Sequence, residues 1–279
     1  MQTNFKKDLN AESIIHEFLN DNFYPVFLKR DLSFKKYINK KDDYNFQIAG
    51  VDAILQRESL EGGIITTYFI DEKAAITECN SDLPTFCQEI SHISKKVNNP
   101  IEVKGWFVDN KKTTHYLYCY ITLTKEGLKK YKQNNKSWEN LTKKDILELE
   151  VILVSKRKLR AFYNNQKKSH VFGKHKTIKQ KILIENKAIR NANNKNFSET
   201  LYYRENFSKY DEAKNKTIKY RDIYEHNFTK TNSLFERPIN CIVPKTKLIE
   251  LAKDGHYFVT KNGISKKRTF NHITCEKIH

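Results

Sequence analysis

The hydrophobic pattern of the chain changes period several times. In residues 10–28, Ile14, Ile15, Phe18, Leu19 and Phe23 recur at helical spacing, and Asn10 or Ser13 can cap the run. This predicts an amphipathic helix. A charged connection follows over residues 31–43. Two runs then take on strand character: F-Q-I-A-G-V-D-A-I-L at 46–55 and I-I-T-T-Y-F-I-D-E-K-A-A at 64–75. The polar stretch between them ends in Gly-Gly, which predicts a hairpin. Further strands are expected at 83–90, and at 103–108 and 114–124, the last two paired through the polar turn 109–113. Residues 145–163 read as a short helical start, a strand at 151–154 and a helix opening at Ser155, which can cap it.

Beyond residue 163 the periodicity fades. Residues 164–237 are rich in Lys, Asn and Tyr, with amphipathic fragments at 177–190 and 215–224. They read as a basic helical insertion. The apolar run P-I-N-C-I-V-P at 238–244 predicts a buried strand, followed by a helix at 245–252 and an Asp-Gly stop. The expected fold is α/β: a mixed central β-sheet flanked by helices. Residues 1–163 would form its core, 164–237 the insertion, and 238–279 a strand and helix returning to the core.

Charge sharpens this picture. Lys and Arg number 51 against 33 Asp and Glu, a formal net charge of +18. A chain this basic suits a polyanionic partner, nucleic acid first. Compositional bias towards Lys and Asn accounts for part of the excess. Cys79, Cys87, Cys119, Cys241 and Cys275 are dispersed without C-x-x-C spacing, which argues for free thiols and against a zinc knuckle or disulfide frame. The first ten residues are polar, and no apolar run approaches a membrane span. The expected setting is cytoplasmic, with no membrane partner.

The chemistry-bearing residues lie in the predicted hairpin. Strand alternation puts Asp71 and Lys73 on one face and Glu72 on the other. Asp52 brings a further acid into the preceding apolar run. Two neighbouring strands that each deliver an acid suit a hard divalent cation. Gly50 marks either a close backbone approach or a bulge. Trp106, Tyr116, Tyr118 and Tyr120 admit base stacking or cross-strand packing. On the helix after Ser155, Lys156, Arg157, Lys158 and Arg160 form the leading candidate for phosphate contact.

G-V-D-A-I-L followed by Y-F-I-D-E-K resembles the PD-(D/E)xK nuclease superfamily. The resemblance covers roughly the first half of the chain. It matches Asp52 to the first acid, Asp71 to the second and Lys73 to the lysine. Val51 stands where a proline often precedes the first acid, and Glu72 where an apolar residue is usual. Either Asp71 or Glu72 could therefore meet the metal. The resemblance implies a restriction-endonuclease-like core that uses Mg²⁺ or Mn²⁺ to hydrolyse DNA phosphodiesters, in restriction, phage defence or phage DNA processing. It further implies metal ligation by Asp52 and Asp71, aided by an acid of the first helix, for which Glu17 is the candidate. Glu89 is a candidate for a late catalytic acid, with Gln88 beside it. Double-stranded DNA is the expected partner, and a homodimer is compatible with the reading. The rival expectation is a non-catalytic nucleic-acid-binding protein of the same fold.

Overall fold

The computed structural model describes residues 4–30, 33–58, 63–81, 83–93, 102–109, 111–168, 207–211, 216–220, 224–225 and 238–267. They form two compact units. The first comprises Met1–Leu83, Lys112–Lys158 and Thr246–His279, and the second Pro84–Lys111 and Leu159–Lys245. The architecture is mixed α/β.

The first unit is built on a seven-stranded sheet. After the helices α1 (Asn4–Asn22) and α2 (Tyr24–Arg30) come β1 (Phe34–Asn39), the short helix α3 (Tyr44–Ile48), β2 (Ala53–Glu58) and β3 (Ile65–Ala74). Strands β1, β2 and β3 pair antiparallel. Next to β3 lies β6 (His115–Leu123), which runs parallel to it. A parallel neighbour requires a crossover, and the chain between β3 and β6 provides it. The sheet continues antiparallel through β7 (Ile146–Ser155), β12 (His256–Thr260) and β13 (Gly263–Ser265). Its order is β1-β2-β3-β6-β7-β12-β13. A further helix, α4 (Lys125–Gln133), is capped by Thr124, whose Oγ1 accepts from the Gly127 amide at 3.0 Å.

The apolar stripe of α1 packs on one face of this sheet. Ile15, Phe18, Leu19 and Phe23 join Leu55, Ile70, Leu117, Cys119, Ile121 and Val151 in one core. Full burial of each such side chain contributes about 1.5–3 kcal/mol relative to exposure. Phe27 of α2 links Phe23 to Tyr257 of β12, with ring centroids 5.3 and 5.5 Å away. On the opposite face Tyr116 and Tyr118 are fully buried with rings 5.9 Å apart. With Tyr120 also buried, the period-two tyrosines of β6 are packing residues.

In the second unit β10 (Tyr224–Glu225), β11 (Pro238–Pro244), β4 (Thr85–Ile93) and β5 (Glu102–Lys104) form an antiparallel sheet in that order. A separate antiparallel pair joins β8 (Phe207–Asp211) to β9 (Lys216–Tyr220). Gly105 ends β5 against β4, where a Cβ would lie 2.4 Å from the Glu89 carbonyl oxygen, so only glycine fits. The helix α5 (Lys156–Lys168) starts in the first unit and continues in the second, and α6 (Lys245–Ala252) follows β11.

Several expectations are corrected. Residues 46–48 are helical, and the strand starts only at Ala53. Asp43 caps α3 by accepting from the Phe46 amide, and Gly50 closes the following turn at φ +67°. Residues 103–108 do not pair with 114–124. Their strand residues join β4, while β6 lies between β3 and β7. The strand Pro238–Pro244 pairs with β4 and does not return to the large sheet, which β12 and β13 rejoin. An apolar alternation encodes which face is buried, not which strand is the neighbour. In the expected helical insertion the described segments are strands. β-Formers such as Ile218 and Tyr220 alternate there with lysines. The fragment at 177–190 lies outside the described residues.

Candidate active site

Strand β3 outruns its neighbour β2. The ladder ends where the Asp52 amide donates to the Ile70 carbonyl at 2.8 Å. Asp52 Oδ2 then accepts from the Glu72 amide, also at 2.8 Å, and so satisfies the first edge N–H left without a strand partner. This bond ties the acid before β2 to the acid-rich end of β3.

Around that end, carboxylates and ammoniums alternate. Lys73 Nζ lies 2.7 Å from Asp71 Oδ1, in an ion pair whose carboxylate side chain is 7% exposed and whose lysine is 26% exposed. Lys41, just past β1, places Nζ 3.1 Å from Asp52 Oδ1 and 3.7 Å from Glu12 Oε2 of α1. Burial pulls the Lys73 ammonium down. Asp71, through charge and hydrogen bond, together with Asp52 and Glu12, outweighs that and holds its pKa above the usual lysine value. Lys41 is balanced in the same way: burial lowers it, while Asp52, Glu12 and Glu72 raise it further. Both lysines therefore stay charged at neutral pH.

Glu72 faces the other way. Its Oε2 lies 2.8 Å from His16 Nδ1, and its Oε1 accepts from the Tyr24 hydroxyl at 2.6 Å. His16 Nε2 contacts Asn39 Oδ1 at 3.1 Å, and that oxygen also accepts from the Lys41 amide at 2.9 Å. Burial lowers the His16 imidazolium, but the Glu72 carboxylate outweighs burial and raises it above the ordinary value. Burial and the Glu72 charge push the Tyr24 hydroxyl well up, so it remains a donor. The Tyr37 ring stacks on Tyr24 at 4.2 Å. Glu72 is thus a buried anchor beneath α1 and α2, and it is Asp71 that shares a face with Lys73.

The remaining candidates have surroundings of their own. Glu17 is exposed on α1, where its charge acts on Lys143, the partner of Asp21. The α1 acid that reaches the cluster is Glu12, five residues earlier and on a different side of the helix. Glu89 stands on β4 in the second unit's sheet and is half-buried, next to the buried Gln88. The basic group of α5 is exposed only in part. Lys156 is buried with its ammonium 5.8 Å from the Tyr116 ring centre. Lys158 donates to the Leu251 carbonyl at 3.3 Å. Arg160 donates to the Phe107 and Asp109 carbonyls at 3.1 and 2.6 Å. Arg157 is exposed. The reason is helical geometry: Lys156, Leu159, Arg160 and Tyr163 recur at i, i+3, i+4 and i+7, so two of the cations share the buried side. His115 sits at the start of β6, and burial, helped by the Lys158 charge, lowers its pKa to about 4.

No family model matches the chain, and neither a curated protein nor a solved structure matches it. Among the described residues no helix is long and apolar enough to cross a membrane.

Glu12, His16 and Lys41 were not among the residues expected here. Glu12 and His16 stand four apart on α1, a spacing that puts them on one face. Lys41 lies in the charge run K-K-D-D, which reads as solvated surface until β1 and β2 are aligned.

Proposed function

We propose that the chain is a metal-dependent nuclease that hydrolyses DNA phosphodiesters, with Asp52, Asp71 and Lys73 at its centre. The supporting observation is that one ammonium, Lys73, lies in the field of three carboxylates, Asp71, Asp52 and Glu12, at a strand end. The donor set is all carboxylate oxygen, which suits Mg²⁺ or Mn²⁺. Among the described residues no three His, Cys, Asp or Glu side chains form a ready metal cage. A Mg²⁺ site needs only one or two carboxylates, with water and substrate oxygens completing it. Asp52 and Asp71 would supply those carboxylates. A cation bound there would acidify a coordinated water and offset the charge that builds on the phosphate.

The chain's own residues do the rest. Glu12, Asp52 and Asp71 face Lys41 and Lys73. A divalent cation bound among these carboxylates would offset their repulsion of phosphate. Lys73, released from Asp71, can donate to a non-bridging phosphate oxygen and orient the attacking water. Lys41 can do the same from the Asp52 side. Glu72, fixed by His16 and Tyr24, holds the strand so that its amide keeps Asp52 in place. The resemblance to the PD-(D/E)xK superfamily adds to this reading.

One observation favours a second reading, nucleic-acid binding without cleavage. Asp71 and Asp52 already rest against ammoniums at 2.7 and 3.1 Å, and such pairs are stable without metal. Incubation with supercoiled plasmid and with RNA, each in Mg²⁺, Mn²⁺ or EDTA, separates the two. Metal-dependent nicking supports the nuclease, whereas binding with intact nucleic acid in every condition supports the rival.

A further inference from the structure

Helix α4 carries a line of cations on its outer face. Lys125, Lys129 and Lys132 recur at i, i+4 and i+7, and all three are exposed. That spacing puts them on one side of the helix, over about 10 Å of its axis. Lys136 follows, also exposed, in the turn after the Asn134 cap. Among the described residues none of these four lysines has a carboxylate within ion-pair distance. Their neighbours differ: Lys130 pairs with Asp145 at 2.9 Å, and Lys143 with Asp21 at 2.6 Å.

The opposite side of α4 is firmly held. Gly127 packs so closely that a Cβ there would stand 2.8 Å from the Asp145 Cβ. Tyr131 and Trp138 are buried, and the Tyr131 hydroxyl and Trp138 Nε1 both donate to the Ile76 carbonyl at 3.0 Å. Ile76 is three residues past Lys73, so the helix is tied to the chain that leaves the candidate site.

Helix stability does not account for the line of lysines. Lys125 opens α4, where the positive end of the helix dipole disfavours a cation. Lys125 and Lys129 stand four apart, a spacing at which like charges repel. Glu126 is the one acid of the helix, and among the described residues it forms no ion pair.

We infer that this face of α4 docks the phosphate backbone of duplex DNA. A rigid line of cations that no carboxylate neutralises complements a duplex, which carries one negative charge per ~1.7 Å of axis. Phosphates set against the lysines relieve the repulsion that the free helix carries. Two other anionic partners fit less well. A membrane-surface helix adds apolar side chains beside its cations, and no large apolar residue is exposed on α4. A single-strand surface adds aromatic rings for stacking, and the one aromatic residue of α4, Tyr131, is buried. Lysine contacts to phosphate position a duplex without reading its sequence. The inference rests on the nuclease reading for the purpose of holding the duplex, and stands apart from it for binding.

The test is fluorescence anisotropy of a labelled DNA duplex titrated with the full chain in EDTA at a series of salt concentrations. Oligo-dT of the same length and phosphatidylserine vesicles are compared, and circular dichroism verifies folding. The Lys129→Gln, Lys132→Gln double variant is set against Lys29→Gln with Lys36→Gln, which removes the same charge from exposed positions on α2 and β1. In the wild type, log K falls linearly with log salt. Losing Lys129 and Lys132 flattens that slope by about 2 and weakens duplex binding at least about tenfold at low salt. Lys129→Arg with Lys132→Arg keeps the wild-type slope, and the control pair leaves it unchanged. A wild-type slope in the folded Gln variant, equal flattening by the control pair, a flattened slope in the Arg variant, tighter binding to oligo-dT or vesicles than to duplex, or no binding overturns the inference. If plasmid stays uncut in Mg²⁺ and Mn²⁺ while the slope change holds, the nuclease reading falls and the docking face stands. Cleavage of plasmid with an unchanged slope removes the docking face alone.

Discussion

Asp71 and Glu72 are adjacent on one strand and occupy opposite worlds. Glu72 faces α1 and α2, 8% exposed, with its two oxygens held by His16 and Tyr24. Asp71 faces the other side and holds a lysine that is one-quarter exposed. The first arrangement is closed: its partners are buried, and their geometry is set by packing. In the second the carboxylate is just as buried, 5% exposed, and it is the lysine that reaches solvent. Alternation along the strand thus gives two buried carboxylates different partners, a histidine and a tyrosine for Glu72 and a lysine for Asp71.

Breaking the closed side has the largest expected effect on stability. Glu72→Ala leaves His16 and Tyr24 buried without their acceptor and is expected to cost about 3–5 kcal/mol, read as a lower midpoint in urea unfolding. Tyr24→Phe removes one donor and should cost about 1–2 kcal/mol. Equal, small losses for both would show that Glu72 is not an anchor.

On the lysine side, stability and function should both respond. Lys41→Met removes the ammonium that bridges Glu12 and Asp52. Under the nuclease reading, cleavage by the folded variant falls about 10–100-fold, and the unfolding midpoint falls too, because Lys41 and Asp52 are only 18% and 12% exposed. A large loss of stability with cleavage intact would place Lys41 among the structural residues.

The two histidines give the comparison a pH axis. The His16 pKa is raised when folded. Its contribution is therefore fully present below the unfolded value near 6.5 and is lost as pH rises through the folded one. His115 is depressed to about 4. Its contribution is present above about 6.5 and is lost as pH falls towards 4. His16→Asn should flatten the alkaline side of the stability profile, and His115→Phe the acid side. Urea unfolding across pH distinguishes them, and an unchanged profile in either variant contradicts the assignment.

The smallest effect is expected at Glu17→Gln. This exposed position should change neither stability, beyond about 0.5 kcal/mol, nor cleavage. Glu12→Gln, in contrast, should reduce cleavage.

Some of this arrangement is legible in the sequence, and the limits have physical causes. The period of two in I-I-T-T-Y-F-I-D-E-K puts Asp71 and Lys73 together and Glu72 apart, and β3 has that geometry. The stripe of Ile15, Phe18, Leu19 and Phe23 indicates the buried face of α1. Partner choice is less visible. Strands β4, β5 and β11 have ordinary apolar patterns, and their separate sheet follows from pairings distant in sequence. The short run at 46–48 suits a strand or a helix equally, and Asp43 as a cap together with Gly50 decides for the helix. Charge runs mislead in both directions. Lys41 in K-K-D-D belongs to the acid cluster, whereas Lys156 and Arg160 are turned inward by the same helical period that buries Leu159 and Tyr163.

We propose that the face of β3 carrying Asp71 and Lys73, with Asp52 beside it, is a cleavage site. Nicking of supercoiled plasmid tests it most directly, with wild type, Asp52→Asn and Lys73→Ala compared at equal concentration in Mg²⁺, Mn²⁺ and EDTA. All three proteins are checked for native circular dichroism. A cleavage site there gives metal-dependent nicking by the wild type and a loss of at least about 100-fold in each variant, with nucleic-acid binding in EDTA retained. Wild-type rates in folded Asp52→Asn and Lys73→Ala would contradict it.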